Sequence, residues 1–255
     1  MSQLANYVEN VIANAILRNT ALPAIATPYL ALYTSDPGET DAGAEVSGGG
    51  YARVAITFAA PSGRESQNSA EVSFGTASAN LGTITHWGVR SALTGGNLLW
   101  SGALTVAKTV NNGNPYKVEV GQIVCKLKGA FSTYVGNAIL NHLLRNVAWT
   151  QPATVYTAFY TNDPTEADTG TEAAGGGYAR QATAFAAPTD GLCQNSGLVS
   201  YGTMSAGLGT LTHCGIRDAA TSGNLLLVGA LTSALPVAAG DPLQIAAGAL
   251  VAGAA

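Results

Sequence analysis

The sequence predicts a mainly β protein, built as two tandem homologous β-sandwich domains of jelly-roll-like form, each with an N-terminal α-helix. Three observations predict this fold. One long segment of the chain is repeated, an amphipathic helical pattern opens each copy, and short β-forming segments with turn residues between them follow it. We expect a first domain over residues 1–128 and a second over residues 129–255.

The internal repeat has a constant offset of 127 residues. The run Gly-Gly-Gly-Tyr-Ala-Arg ends at Arg53 in the first copy and at Arg180 in the second. A Leu-Gly-Thr-x-Thr-His run likewise ends at His86 and at His213. Solenoid repeats are about 20–50 residues long, whereas this offset has the size of a whole domain. The chain is therefore a fused pair of homologous domains, and any functional site is expected twice.

Apolar residues at helical spacing predict one helix near the start of each copy. We expect these helices to end near Asn19 and Asn146, with Ser2 and Ser132 as their N-terminal caps. The periodic residues are Leu4, Val8, Val11, Ile12, Ala15 and Ile16 in the first copy, and Tyr134, Ala138, Leu140, Leu143 and Leu144 in the second.

The segments after each helix predict strands. An apolar run before Asp-Pro is expected to form a strand at 29–34 and again at 155–161, and residues 51–59 alternate as a half-buried strand does. Turns rich in Gly and Asn recur every ~8–12 residues, which favours a sandwich or a jelly roll. Further strands are predicted over 71–76, 83–90, 97–104 and 116–126.

The composition disfavours several classes of partner and chemistry. Charged residues make up only 10% of the chain, and such a weakly charged surface favours association with other proteins. A net charge of −4 disfavours nucleic acid, because phosphate binding needs clustered Lys and Arg. No apolar run has the roughly 20 residues that a membrane helix needs. The three cysteines form no Cys-x-x-Cys pair, so we expect buried free thiols and no cofactor.

An acidic loop is the strongest candidate site in each copy. Oxygen-rich loops bind calcium when about six ligands converge, but the spacing of these acids is not that of an EF-hand. We therefore expect a solvated connecting loop, with a bound cation as the alternative, and the length of the loop suits contact with a partner. The acids are Asp36, Glu39, Asp41 and Glu45, matched by Asp163, Glu166, Asp168 and Glu172.

Arginines and tyrosines at the same place in both copies are candidates for interfaces. In a chain with few charges, such arginines serve as interface anchors or as ion pairs within a domain, and the acidic loop supplies partners for the second role. The tyrosines are candidates for contact with a partner or a sugar. These residues are Arg53, Arg180, Arg90, Arg217, Tyr51 and Tyr178.

The remaining motifs predict no enzyme and no catalytic residue. A catalytic histidine needs a nucleophile or a carboxylate within reach, and Thr85, next to His86, should point to the opposite face of its strand. We expect His86 and His213 to be satisfied core or interface residues. The run Gly48–Gly50 lacks the order of a phosphate-binding loop and predicts a flexible hinge.

Several motifs together resemble a family of tailed-phage virion proteins, whose members are named as tail-fibre proteins or as head-decoration (cement) proteins. The resemblance covers residues 1–128, and residues 129–255 more loosely, because Ser233–Val237 replaces the Lys-Thr-Val element of the last hairpin. The motifs are Leu-Tyr-Thr-Ser-Asp-Pro, Gly-Gly-Gly-Tyr-Ala-Arg, Thr-His-Trp-Gly, Gly-Gly-Asn-Leu-Leu-Trp-Ser-Gly-Ala-Leu and Lys-Thr-Val-Asn-Asn-Gly.

This resemblance implies a non-enzymatic structural protein of the virion, assembled in the host cytoplasm. We expect a decoration protein that stabilises the head, because a fibre shaft needs long coiled-coil or β-helical repeats that are missing from the sequence. The expected partners are the major capsid protein or other virion proteins, together with further copies of the chain. The alternative is a tail fibre or another tail-associated protein that contacts the baseplate, a host receptor or a glycan.

Overall fold

The computed structural model describes residues 3–254, which divide into two compact units. Unit 1 comprises residues 3–8, 23–127 and 139–149, and unit 2 comprises residues 9–22, 128–138 and 150–254. Each unit therefore contains the strands of one repeat together with helical residues of both repeats. Within residues 3–254, neither helix combines the length and the hydropathy that crossing a membrane requires.

In the described part of the chain the helices are α1 (Asn6–Arg18) and α2 (Thr133–Arg145). The Ser132 hydroxyl accepts a hydrogen bond from the Val135 N–H at 3.3 Å, which confirms the predicted cap of α2. Ser2, the predicted cap of α1, lies outside the described residues. Both helices end where predicted, because Asn19 and Asn146 adopt left-handed φ angles of 53° and 52°, a conformation that terminates helices and that Asn tolerates.

Unit 1 is organised around one antiparallel sheet with the strand order β1-β7-β6-β2-β3. Two short antiparallel ribbons, β4-β9 and β5-β8, complete it. The strands are β1 (Gln3–Leu4), β2 (Tyr29–Tyr33), β3 (Val54–Ala55), β4 (Glu65–Gln67), β5 (Val72–Thr76), β6 (Gly82–Arg90), β7 (Leu98–Val110), β8 (Pro115–Val118) and β9 (Val124–Lys126).

Unit 2 repeats this arrangement, with the main sheet in the order β11-β10-β14-β15 and with the ribbons β12-β17 and β13-β16. The last hairpin forms at the equivalent positions although Ser233–Val237 departs from the first copy. The strands are β10 (Tyr156–Tyr160), β11 (Gln181–Ala182), β12 (Leu192–Gln194), β13 (Val199–Thr203), β14 (Gly209–Arg217), β15 (Leu225–Val237), β16 (Pro242–Ile245) and β17 (Val251–Gly253).

The core of unit 2 lies between the main sheet and the β13-β16 ribbon. Phe159 and Leu211 from the sheet pack in one buried cluster with Val199, Tyr201 and Leu243 from the ribbon. Burying apolar faces of two layers against each other is the usual source of stability for such folds. The architecture confirms the predicted mainly β fold with a helix at the start of each repeat.

Three predicted strands are wrong in extent. The strand expected over 97–104 continues to Val110 as β7. Residues 51–59 form only the two-residue strand β3 and an isolated bridge from Phe58 to Asn68. The alternation there has another cause, since the side chains of Tyr51 and Arg53 turn inward to bind the acidic loop. Residues 116–126 form two strands, β8 and β9, because the chain turns between them at Gly121, whose φ is 80°.

The predicted flexible hinge at Gly48–Gly50 is a hydrogen-bonded turn. All three glycines have positive φ angles, which glycine adopts without steric cost. The Gly49 carbonyl accepts the Ser78 N–H at 2.9 Å, and a side chain at Gly49 would lie 3.1 Å from the Ala79 carbonyl oxygen. Gly49 is therefore required by close packing of the backbone, and Gly48 and Gly50 by their positive φ angles.

A large β-bulge interrupts the pairing of the two longest strands of unit 1. Ile84 pairs with Lys108 and His86 with Ala103, so the segment 104–107 of β7 lies opposite the single residue Thr85. Val106, within that segment, is 78% exposed. The equivalent bulge in unit 2 lies between Leu211 and His213. Such bulges reorient nearby side chains and increase the local twist.

Candidate functional site

The acidic loop of unit 1 is folded on itself by its own backbone. The Thr34 N–H donates to the Ala44 carbonyl and the Ala42 N–H to the Pro37 carbonyl, both at 2.9 Å. Gly43 is required here because a side chain would lie 2.5 Å from the Pro37 Cα. The loop is thus a compact structure, and its backbone fixes the positions of the four acids.

Arg53 binds Glu45 in a bidentate ion pair. Its Nε donates to Oε1 at 2.8 Å and its Nη2 to Oε2 at 2.7 Å. The side chains are only 9% and 24% exposed, so the pair is shielded from water. Burial alone raises the pKa of Glu45, but the hydrogen bonds and charge of Arg53 outweigh it and lower that pKa. The same hydrogen bonds raise the pKa of Arg53.

The guanidinium of Arg53 also fixes the turn between β6 and β7. Its Nη1 donates to the Ala92 carbonyl at 2.9 Å and to the Gly95 carbonyl at 2.6 Å. A surface cavity of about 450 Å³ borders this arrangement and includes Tyr51 and Leu93 in its wall. One arginine therefore joins the acidic loop, the turn and the wall of a cavity.

Arg90 makes the second ion pair of the loop. Its Nη1 donates to both carboxylate oxygens of Asp41 at 2.7 Å and to the Tyr33 hydroxyl at 2.9 Å. Its Nη2 donates to the Gly96 carbonyl at 3.0 Å. Asp41 has a left-handed φ of 58°, a conformation that Asp tolerates better than most residues. Arg90 and Arg53 thus attach the acidic loop to the same turn.

Unit 2 reproduces both pairs. Arg180 binds Glu172 at 2.8 and 2.7 Å and donates to the carbonyls of Ala219 and Ser222. Arg217 binds Asp168. The arginines are therefore engaged in ion pairs within their units, which is one of the two roles expected from the sequence, and the interface role stays a prediction.

Tyr51 and Tyr178 are half-buried, and their hydroxyls contact the strands behind them. The Tyr51 hydroxyl accepts the Leu32 N–H at 2.9 Å and donates to Glu45 at 3.1 Å, while the Tyr178 hydroxyl accepts the Phe159 N–H at 2.8 Å. Burial raises the pKa of both tyrosines. These contacts give the tyrosines a structural role, and their predicted contact with a partner stays open.

Asp36 and Glu39 lie at the exposed part of the loop. The Asp36 carboxylate accepts the Gly38 N–H at 2.9 Å, and the Glu39 carbonyl accepts the N–H of Asn6, the first residue of α1, at 3.0 Å. In unit 2, Asp163 binds the Thr165 N–H at 2.8 Å and the Glu166 carbonyl binds the Thr133 N–H at 2.8 Å. The loop thereby positions the start of each helix.

Two of the four acids in each loop are engaged by arginines. Asp41 and Glu45 are directed to arginines. Asp36 binds the Gly38 N–H and lies 3.8 Å from His86, and Glu39 is exposed. Among residues 3–254, no group of three or more His, Cys, Asp and Glu is placed to hold a metal ion. Asp41 and Glu45 therefore belong to the structure of the loop, and the bound cation stays a prediction.

The histidine has a different neighbourhood from the one expected. Thr85 does not point away from His86, because the β-bulge turns its hydroxyl to within 2.9 Å of His86 Nδ1. The other ring nitrogen, Nε2, is 3.8 Å from the Asp36 carboxylate. Thr212, His213 and Asp163 repeat this geometry in unit 2, at 2.9 and 3.7 Å. The prediction for Thr85 is wrong because regular alternation fails at a bulge.

Sequence reasoning missed the acceptors on the β6–β7 turn. The carbonyls of Ala92, Gly95 and Gly96 bind the two arginines, but backbone groups have no residue signature. The Gly-Gly pair after Thr94 predicts a turn, and that turn was the signal available from the sequence for exposed backbone carbonyls at this place. The free cysteines Cys125, Cys193 and Cys214 are all buried, as predicted, and burial raises the pKa of Cys214 to about 12.

The fold and the site define a duplicated β protein in which charged side chains hold surface loops in place. The family model of the Podophage GP4 fiber I protein gp80 matches residues 3–126 and again residues 130–253. The chain therefore belongs to this family and is a tandem duplication of its domain. This confirms the resemblance to phage virion proteins and identifies a structural component of a phage particle. No curated protein shows significant similarity to the chain.

Proposed function

We propose that this protein is a tail-associated, fibre-class structural subunit of a tailed-phage virion. The observation that supports this most strongly is the match of a podophage fibre family to both repeats, which together account for nearly the whole chain. It favours the tail-fibre alternative over the decoration role that the sequence patterns favoured. The role is non-enzymatic in this proposal, since Asp41 and Glu45, two of the four acids of the loop, are bound to arginines.

Binding to other proteins is the expected mode of action. Only 10% of the residues are charged, so the cost of removing the surface from water is low. The net charge of −4 disfavours nucleic acid as the partner. We propose further copies of the chain and other virion proteins as partners, with assembly in the host cytoplasm.

A decoration protein of the head is the second candidate. The observation that favours it is architectural, because the strands of each unit form short antiparallel sheets and ribbons within one repeat. A fibre shaft is normally built from a periodic coiled coil or β-helix. Decoration would bring the major capsid protein into the list of partners and would stabilise the assembled state by mass action.

Immunogold labelling of intact particles separates the two candidates. An antibody against the chain is expected to label the tail in negatively stained virions. Labelling spread over the head would favour decoration and overturn the tail assignment. Labelling of neither structure, with the chain absent from purified particles by mass spectrometry, would overturn the virion role itself.

A host-receptor or glycan contact of the tail protein is tested with exposed residues. Asp41 is a poor choice, because it is bound to Arg90 and its loss would disturb the loop. Asp36→Asn and Glu39→Gln change exposed carboxylates instead. If the acidic loop contacts the host, these variants should bind host cells less tightly than the wild-type chain in a sedimentation assay, while their unfolding midpoints stay unchanged. Equal binding would exclude this loop as the contact.

A further inference from the structure

Unit 2 contains a pocket of about 320 Å³ beside Cys214, lined mainly by apolar side chains. We call it the Cys214 pocket. Its walls are Cys214 on β14, the β15 segment from Leu227 to Leu231, and residues 249–252, which lead into β17. The pocket reaches the surface, since Val251 is 50% exposed and Gly229 is also exposed.

The equivalent place in unit 1 is filled by an indole. The residue at the position of Cys214 is Trp87, which is buried with 5% exposure. A Cβ added to Gly102 would lie 2.7 Å from Trp87 Cζ2, so the ring lies directly over this glycine. The counterpart of Gly102 is Gly229, which has no atom within 4 Å of the added Cβ. The space that the indole fills in one unit is open in the other.

Two other wall positions carry smaller side chains than in unit 1, and a third carries a more apolar one. Leu227 stands where the first copy has Trp100, and Ala249 stands where it has Gln122. Val228 replaces Ser101, which is 1% exposed, and is itself only half-buried. The backbone of unit 2 has therefore kept the shape that accommodates the ring while losing both large side chains. Pockets lined mainly by apolar side chains, with some polar groups, are well suited to apolar and aromatic guests.

We propose that the Cys214 pocket binds a planar aromatic group of the size of an indole, carried as a side chain by a partner polypeptide. The planar shape follows from Gly229, whose bare backbone offers the flat surface that Gly102 offers to Trp87. An aromatic side chain in such a pocket is a common anchor of protein interfaces. We favour a side chain over a free small molecule because the indole that occupies the equivalent space in unit 1 is a side chain, that of Trp87 on β6. The inference depends on the pocket alone and is independent of the place of the protein in the virion.

The test uses the full chain with N-acetyl-tryptophanamide and 5-fluoroindole as probes. Binding of 5-fluoroindole is followed by ¹⁹F NMR, and binding of both probes is followed by methyl chemical shifts of the Leu and Val residues. Both probes should bind, with the largest shifts at Leu227, Leu231 and Leu250, and N-acetyl-leucinamide should bind at least about tenfold more weakly. Failure of both aromatic probes to bind, or shifts centred elsewhere, would overturn the proposal. Binding of 5-fluoroindole but not of N-acetyl-tryptophanamide would overturn the side-chain source.

Cys214→Trp is the matched variant, because it restores the residue of the first copy. The new indole should fill the pocket and reduce probe binding by at least about tenfold. Unchanged binding by a folded Cys214→Trp chain would overturn the site. Should this variant not fold, Gly229→Val serves in its place, since it fills the mouth of the pocket from a position with open space around it. Unchanged probe binding by Gly229→Val would count against the proposal in the same way.

Discussion

Arg53 and Glu45 face each other in a bidentate pair, with nitrogen–oxygen distances of 2.8 and 2.7 Å. The two residues are eight positions apart, at the two ends of the glycine turn, so the pair closes that turn as well as the acidic loop. The remaining nitrogen of Arg53 binds the carbonyls of the β6–β7 turn. A single guanidinium therefore connects three surface segments, and its geometry cannot be replaced by a point charge.

Replacing this arginine by lysine should destabilise the protein. Arg53→Lys keeps the charge but loses the parallel hydrogen bonds of a pair that is only partly exposed, at a cost of about 1–2 kcal/mol. Urea unfolding followed by circular dichroism measures the change. Lys117→Gln is the control, because the ion pair of Lys117 with Glu71 is exposed and should contribute nothing measurable. Equal effects of the two variants would show that the Arg53 pair behaves as an ordinary surface pair.

Stability should fall in acid partly through Glu45. Its pKa in the folded protein lies below the ordinary value of 4.5, so its contribution is fully present above about pH 4.5 and is lost as the pH falls through the lower folded-state value. Glu45→Gln removes this titration. The difference in unfolding midpoint between wild type and Glu45→Gln should therefore shrink between about pH 6 and pH 3. A difference that stays constant over this range would contradict the assignment.

A pair of equivalent glycines should respond in opposite ways. Gly102→Ala places a methyl group 2.7 Å from Trp87 and should cost about 1–3 kcal/mol through overpacking. Gly229→Ala meets nothing within 4 Å and should change stability by less than about 0.5 kcal/mol. Chemical denaturation of the two variants measures the contrast. Similar losses for both would mean that the space above Gly229 is filled in solution.

The sequence patterns predicted the elements better than their connections. The helix ends at Asn19 and Asn146 were predictable because Asn readily adopts the left-handed conformation that terminates a helix. The irregular structure of residues 51–59 was not predictable. An arginine that binds a loop gives the same alternation of polar and apolar residues as an arginine that faces solvent on a regular strand. The bulge opposite Thr85 has no residue signature, so the neighbours of His86 could not be predicted.

The acidic loop shows the same limit at the level of the site. Its acids were recognised as a cluster from their spacing, and two of the four proved to be partners of Arg53 and Arg90. Which acid pairs with which arginine depends on the fold of the loop, set by Gly43 and by backbone hydrogen bonds. A repeat likewise reveals its period but not which helical residues belong to which unit, since both copies have the same pattern.

The helical residues of the two repeats should make the repeats dependent on each other for folding. Unit 1 includes residues 139–149 of the second repeat, among them the fully buried Leu140 and Leu143. Leu144 lines a cavity of this unit together with Ile56 and Phe58. A fragment of residues 1–128 lacks these side chains and should expose the apolar surface that they cover. Such surfaces promote association.

A fragment of residues 1–149 is the matched comparison, because it contains every segment of unit 1. We expect cooperative urea unfolding for residues 1–149, and a broad transition or self-association for residues 1–128, measured by circular dichroism and sedimentation velocity. The burial lost with two leucines alone is worth about 4–10 kcal/mol, which is comparable to the whole stability of a domain. Two monomeric fragments with equal unfolding midpoints would show that residues 139–149 are dispensable for unit 1. That result would show that each repeat folds without helical residues of the other.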